Sequence, residues 1–138
     1  MGTVVQLKKR INNSYSELKN SVEEKLILVE EKIKSKLSSK VNLVDEMTSY
    51  HLRTGGKRLR ALLTLGSARI CEYSKGSRDV NLAACVELIH AATLMHDDVI
   101  DKSEIRRGKK TLNSIWGNQS SILVGCLLYT SPKPTRPY

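Results

Sequence analysis

Between Val80 and about Ile105 the chain carries a long apolar helix that ends in a dense acidic cluster. Leu82, Ala83, Ala84, Val86, Leu88, Ile89, Ala91, Ala92, Leu94 and Met95 leave it almost no polar face. A helix apolar nearly all round has to be wrapped by others, so it is expected at the centre of an all-α fold. The rest of the composition agrees. With 40% hydrophobic residues, no Phe and one Trp, the core must be aliphatic. Gly and Pro are scarce before the C-terminal tail, which favours long helices over many turns.

The flanking segments supply the partners. Residues 4–20 have amphipathic helical spacing. Ser21 and Glu24 resemble a capping box opening a second helix with Val22, Leu26, Val29 and Ile33 along one stripe, broken at Ser38-Ser39. A third short helix is expected from Val41 to about Leu52 and a fourth from Leu59 to Tyr73, with Lys75-Gly76-Ser77 as a loop and Asp79 as the cap of the long helix. Arg106 to Lys110 reads as a basic loop, and Thr111 as the cap of one last helix through Val124. No internal repeat and no alternating strand pattern is present.

The formal net charge of +9 suggests a polyanionic partner: nucleic acid, an anionic membrane or a phosphorylated small molecule. Aromatic residues are not interleaved with the basic ones, which argues against a stacking surface for single strands. No apolar run reaches the roughly 18 residues of a membrane span, and Gln6 occupies the position that a myristoylation signal gives to Ser or Thr. Cys71, Cys85 and Cys126 show no zinc spacing and read as free thiols of a reducing, cytoplasmic protein.

The chemistry concentrates at the end of the long helix. Asp97 and Asp101 are four residues apart, about 40° on a helix, and so share a face, with Asp98 beside them. Like charges that close need a cationic counterpart, and a hard divalent ion such as Mg²⁺ suits oxygen ligands completed by water and phosphate. A solvated acidic helix end is the plainer reading. Against it stand Arg106 and Arg107 just beyond, and Gly55-Gly56-Lys57-Arg58-Leu59-Arg60 upstream, which together offer cations to phosphate oxygens. His90 lies about 20° off the Asp97 stripe and is a candidate donor to a diphosphate, whereas His96 reads as structural.

With these residues in place, the chain resembles the trans-isoprenyl (polyprenyl) diphosphate synthase family. Gly55 to Arg60 looks like its isopentenyl diphosphate-binding motif. Glu87-Leu88-Ile89-His90 through Asp97-Asp98-Val99-Ile100-Asp101 and Arg106-Arg107-Gly108 looks like its first aspartate-rich region. Gly117-Asn118-Gln119 and Ile122 to Gly125 continue the likeness. The resemblance implies part of an isoprenoid-synthase-type helical bundle over residues 1–125. It implies Mg²⁺ at Asp97, Asp98 and Asp101, and the allylic diphosphate at Arg106. Isopentenyl diphosphate would lie at Lys57, Arg60, His90 and Arg107, and Arg58 receives no role. The implied reaction condenses the two diphosphates into a chain one isoprene unit longer, and the implied assembly of the full-length enzyme is a homodimer. Ala92 and Thr93, five and four places before Asp97, are small where bulky residues would halt growth, which implies a long product such as a quinone side chain.

After Gly125 the likeness fails. Cys126 stands where relatives usually have Asp, and the chain's three prolines lie in the last residues, so 126–138 is expected to be a disordered tail foreign to the family. Relatives are more than twice as long and carry a second aspartate-rich motif, absent here, so the 138-residue chain is expected to be inactive by itself. The competing readings are a basic helical nucleic-acid-binding module, a non-catalytic subunit of a heteromeric prenyl synthase, and a terpene cyclase. The first gives no reason for the carboxylates, the second none for the intact cluster, and the third none for Gly55 to Arg60.

Overall fold

The computed structural model describes residues 13–37, 41–53 and 56–130. Within them the chain is a helical bundle with one very short hairpin. Helix α1 covers described residues 13–21, followed by α2 (Glu23–Leu37), α3 (Asn42–Arg53), α4 (Leu59–Ile70) and the long α5 (Arg78–Ile100). Strands β1 (Ile105–Arg106) and β2 (Lys109–Lys110) lead to α6 (Leu112–Trp116) and α7 (Asn118–Thr130).

The predicted central helix is central: α5 packs against α7, α4 and α2. Ala83, Ala84, Ala91 and Ala92 are all buried on it, and such small side chains let neighbouring helices approach closely. The core is aliphatic. Val29 and Ile33 from α2, Met47 from α3, Leu62 and Leu65 from α4, Leu88 and Met95 from α5, and Val124 and Leu128 from α7 are almost fully enclosed. The α2 stripe is the expected one, with Val22, Val29 and Ile33 inside and Leu26 packed at the margin. The all-round apolar character of α5 is not fully used, because Leu82 and Ile100 are exposed.

Several local expectations are corrected. The Ser21 hydroxyl donates back to the Leu18 carbonyl (2.8 Å) rather than capping α2. Asp79 sits inside the first turn of α5, where it accepts from the Val80 amide (2.9 Å) and pairs with Lys25, so it ties α5 to α2. Helices α4 and α5 stop at Ile70 and Ile100, earlier than expected, because Glu72 (φ 54°) and Lys102 (φ 51°) turn left-handed. Each ends in a paired closure. Tyr73 N–H reaches Ala68 O and Glu72 N–H reaches Arg69 O; Ser103 N–H reaches Asp98 O and Lys102 N–H reaches Val99 O. The single last helix is split by Gly117 at φ 84°. The tail expected to lack structure from Cys126 is helical through Thr130, while 131–138 lie outside the described residues. So do residues 1–12, which include the start of the expected first helix, the break at Ser38-Ser39, and Thr54 and Gly55.

Leu62 is 1% exposed and Ile70 84%. Leu62→Ala is therefore expected to cost about 2–5 kcal/mol in urea unfolding, and Ile70→Ala less than about 0.5 kcal/mol. Burial of the Asp79 carboxyl opposes its ionisation, but the hydrogen bond from Lys25 and that from the Val80 amide outweigh it and hold its pKa below the ordinary value. The native carboxylate thus binds its proton later than the unfolded one. Stability from this pair should be full above the ordinary aspartate pKa and fade as the pH falls below it, and Asp79→Asn should flatten that acid limb.

Candidate diphosphate-binding site

Cations from two parts of the chain meet in one hollow of about 540 Å³. Lys57, Arg58 and Arg60 come from the entry to α4, Arg106 and Arg107 from the hairpin, and Lys110 from its second strand. Against these six stand two carboxylates, Glu87 and Asp98, which belong to α5 together with His90, Ala91 and Leu94. Residues 87, 91, 94 and 98 fall within about 60° of one another on a helix, so a single stripe of α5 forms the floor.

The basic loop is in fact a hairpin. Its two central residues, Arg107 (φ 53°) and Gly108 (φ 75°), are both left-handed, the geometry that matches the twist of a two-residue β-turn. Ile105 pairs with Lys110 and Arg106 with Lys109. The hairpin is fastened to α3: the Tyr50 hydroxyl donates to the Lys110 carbonyl (2.9 Å), and the Tyr50 ring meets Trp116 edge-on at 5.4 Å. From there Arg106 Nε donates to Asp98 Oδ1 at 2.7 Å. Asp98 is 6% exposed, so its charge requires a partner and has one.

At the opposite wall, Glu87 is 7% exposed and bridges two groups. Its Oε1 accepts from the Ala61 amide (3.1 Å), and its Oε2 pairs with Arg58 Nη1 (3.6 Å). Arg58 precedes α4 in a left-handed conformation (φ 46°), and the Tyr15 hydroxyl donates to the Lys57 carbonyl (3.3 Å). The imidazoles report the local charge. Burial, then Arg58 and other cations, lower the pKa of His51 to about 4. Burial, then Arg60, lower that of His90, against an opposing pull from Glu87. Both are neutral near pH 7, when each acts as one donor and one acceptor.

The structure thus brings Lys57, Arg60, His90, Asp98, Arg106 and Arg107 together. Asp97 and Asp101 do not line the hollow. Both are exposed, and they stand one helical turn apart, with the Asp101 amide on the Asp97 carbonyl at 2.8 Å. Among the described residues no group of three or more His, Cys, Asp or Glu is placed to hold a metal. Asp98 is paired with Arg106, while Asp97 and Asp101 face outward. Thr93 is exposed, its hydroxyl donating to the His90 carbonyl (2.8 Å), and Ala92 is wholly buried. The three cysteines are free thiols. His51 and Tyr50 escaped the sequence reading, which held Glu87 only within the aspartate-rich region and Lys110 only within the basic loop, neither with a role of its own.

Known proteins resemble this chain in sequence and fold. The chain is 45% identical over 98 residues to octaprenyl diphosphate synthase of Escherichia coli, covering 71% of this chain and 30% of that enzyme. Its fold matches the crystal structure of a decaprenyl diphosphate synthase from Rhodobacter capsulatus with a TM-score of 0.80 at 42% identity, over 86% of this chain and 36% of that one. It also matches a polyprenyl synthase from Caulobacter crescentus complexed with calcium and isoprenyl diphosphate, with a TM-score of 0.81 at 37% identity and the same coverage. The chain spans about a third of the length of these relatives. The family model for polyprenyl synthetase matches residues 41–132, more than half of the 138, and the chain belongs to that family.

Proposed function

We propose that this chain forms the diphosphate-binding part of a trans-prenyltransferase that condenses isopentenyl diphosphate with an allylic diphosphate. The observation that carries the reading is the hollow in which six cations face two carboxylates that are themselves engaged by arginines. An excess of guanidinium and ammonium groups in a concave site suits a ligand with several phosphate oxygens. The E. coli and R. capsulatus relatives make octaprenyl and decaprenyl diphosphates by their names, and the C. crescentus structure holds an isoprenyl diphosphate.

Each residue then has a task. Arg106, oriented by Asp98, presents its remaining N–H groups to the allylic diphosphate. Lys57, Arg60 and Arg107 hold isopentenyl diphosphate, and neutral His90 donates one hydrogen bond to it. The apolar wall at Ala91, Leu94 and Leu112 keeps water from the reacting carbons. Asp97 and Asp101 provide an exposed carboxylate pair whose oxygen chemistry fits Mg²⁺, with diphosphate oxygens and water completing the shell. When bound, Mg²⁺ offsets the charge that develops on a departing diphosphate. Asp98 is assigned to that site through Arg106, not as a direct ligand.

The reading extends to a long polyprenyl product on the strength of the resemblance, which gives Ala92 and Thr93 the chain-length role, although neither lines the hollow. It also extends to a cytoplasmic homodimer. No helix among the described residues is long and apolar enough to cross a membrane, and Leu123, Leu127 and Tyr129 on α7 are exposed apolar surface that another chain can cover. The 138-residue chain alone binds diphosphate without turnover, since it offers one carboxylate pair and a third of the relatives' length.

Titration with inorganic pyrophosphate in a calorimeter tests the site. Arg106→Ala is expected to weaken binding by about tenfold, the worth of one bidentate charged contact. Unchanged affinity contradicts the assignment. Incubating the chain with Mg²⁺ and both diphosphates should yield no condensation product, and robust turnover refutes the inactivity. For pH, the native His51 resists protonation down to about 4, whereas the unfolded imidazole takes a proton near 6.5. Stability should therefore fall as the pH drops from about 6.5 toward 4, and His51→Gln should make that slope shallower, leaving the share of His90.

A further inference from the structure

A buried carboxylate in the wall of an anion receptor is out of place on charge alone. Glu87 lies in the same hollow as Lys57 and Arg60, and by simple Coulombic reasoning it weakens any diphosphate bound there. Its bonds give it another task. Lys57 and Arg60 flank Arg58, a non-glycine residue in the left-handed region, a conformation that persists only where the surroundings fix it. One oxygen of Glu87 takes the Ala61 amide, among the first-turn N–H groups of α4 that have no partner within the helix. The other takes the Arg58 guanidinium. The carboxylate thus ties the residue after Lys57 and the residue after Arg60 to α5. Eleven residues further along the same stripe of α5, Asp98 holds Arg106 in the same way.

We infer that the Glu87–Arg58 pair is a positioning device that sets where Lys57 and Arg60 stand, and through them the affinity of the hollow for a diphosphate, without either member of the pair contacting the ligand. The inference rests on the diphosphate reading of the hollow and gives Arg58, which the sequence left without a role, its place. The two carboxylates of the α5 stripe are the fixed points of two cationic walls, one from the entry to α4 and one from the hairpin.

The experiment is a calorimetric titration with inorganic pyrophosphate of the wild-type chain, Arg60→Ala, Glu87→Gln and Arg58→Lys, each with a thermal melt. Binding by the wild type that Arg60→Ala weakens establishes the receptor; its absence, or an unaffected Arg60→Ala, overturns the receptor and this inference with it. Glu87→Gln keeps an acceptor for the Ala61 amide and removes a negative charge from beside the anion. Charge alone predicts tighter binding. Positioning predicts binding weaker by about tenfold. Equal or tighter binding by a folded Glu87→Gln overturns the inference and leaves the receptor standing, as does a lower melting midpoint with unchanged affinity. If Glu87→Gln fails to fold, Arg58→Lys decides. It keeps the positive charge but loses the forked reach to Glu87, so a similar weakening is expected, and wild-type affinity rejects the pair as a positioning device.

Discussion

The fold depends on α5 being greasy on one set of faces and ionic on one stripe. Its alanines, Leu88 and Met95 are sealed by α2, α4 and α7, which places Glu87 and Asp98 where little water reaches their charge. Each carboxylate then needs a cation, and Arg58 and Arg106 are drawn inward from segments distant in sequence. Those arginines bring Lys57, Arg60 and Arg107 with them. The cationic hollow is thus a consequence of where α5 buries its acids. The hydrophobic packing that supports the bundle also assembles the site.

A division of labour follows among the acidic residues. Asp97, Asp98 and Asp101 look equivalent in sequence, yet on a helix Asp98 is rotated by about 100° from Asp97. That rotation moves it from the solvent to the floor of the hollow. Its backbone carbonyl is also engaged, by the Ser103 amide (2.9 Å) and the Asn113 side chain (3.3 Å), so the end of α5 is fixed where the hairpin departs. The proposed metal role falls to the exposed pair at Asp97 and Asp101, and the buried acid pairs with Arg106.

Much of this was legible beforehand. The centrality of α5 follows from its lack of a polar face, and the α2 stripe from the spacing of Val22, Leu26, Val29 and Ile33. The basic residues of the hollow stood out in the sequence as the Gly55 to Arg60 element and the Arg106 to Lys110 loop. What escaped the sequence has physical reasons. Helices α4 and α5 close on Glu72 and Lys102, left-handed residues without the glycine that usually marks such ends. The hairpin is too short to show an alternating pattern, although Arg107-Gly108 is a turn-compatible pair. Capping roles for Ser21 and Asp79 failed because a hydroxyl and a carboxylate each had a stronger competing partner, the Leu18 carbonyl and the Lys25 ammonium. Which of three aspartates meets an arginine depends on the tertiary path of the hairpin, and local spacing carries no record of it.

The claim at the centre is that one hollow on the α5 stripe receives diphosphate. Nuclear magnetic resonance mapping of the labelled chain during addition of inorganic pyrophosphate reads it residue by residue. The account predicts that shifts concentrate on the signals of Lys57, Arg60, His90, Arg106 and Arg107. Shifts spread instead over the lysines of α2, or absent from the hollow while pyrophosphate binds elsewhere, contradict it.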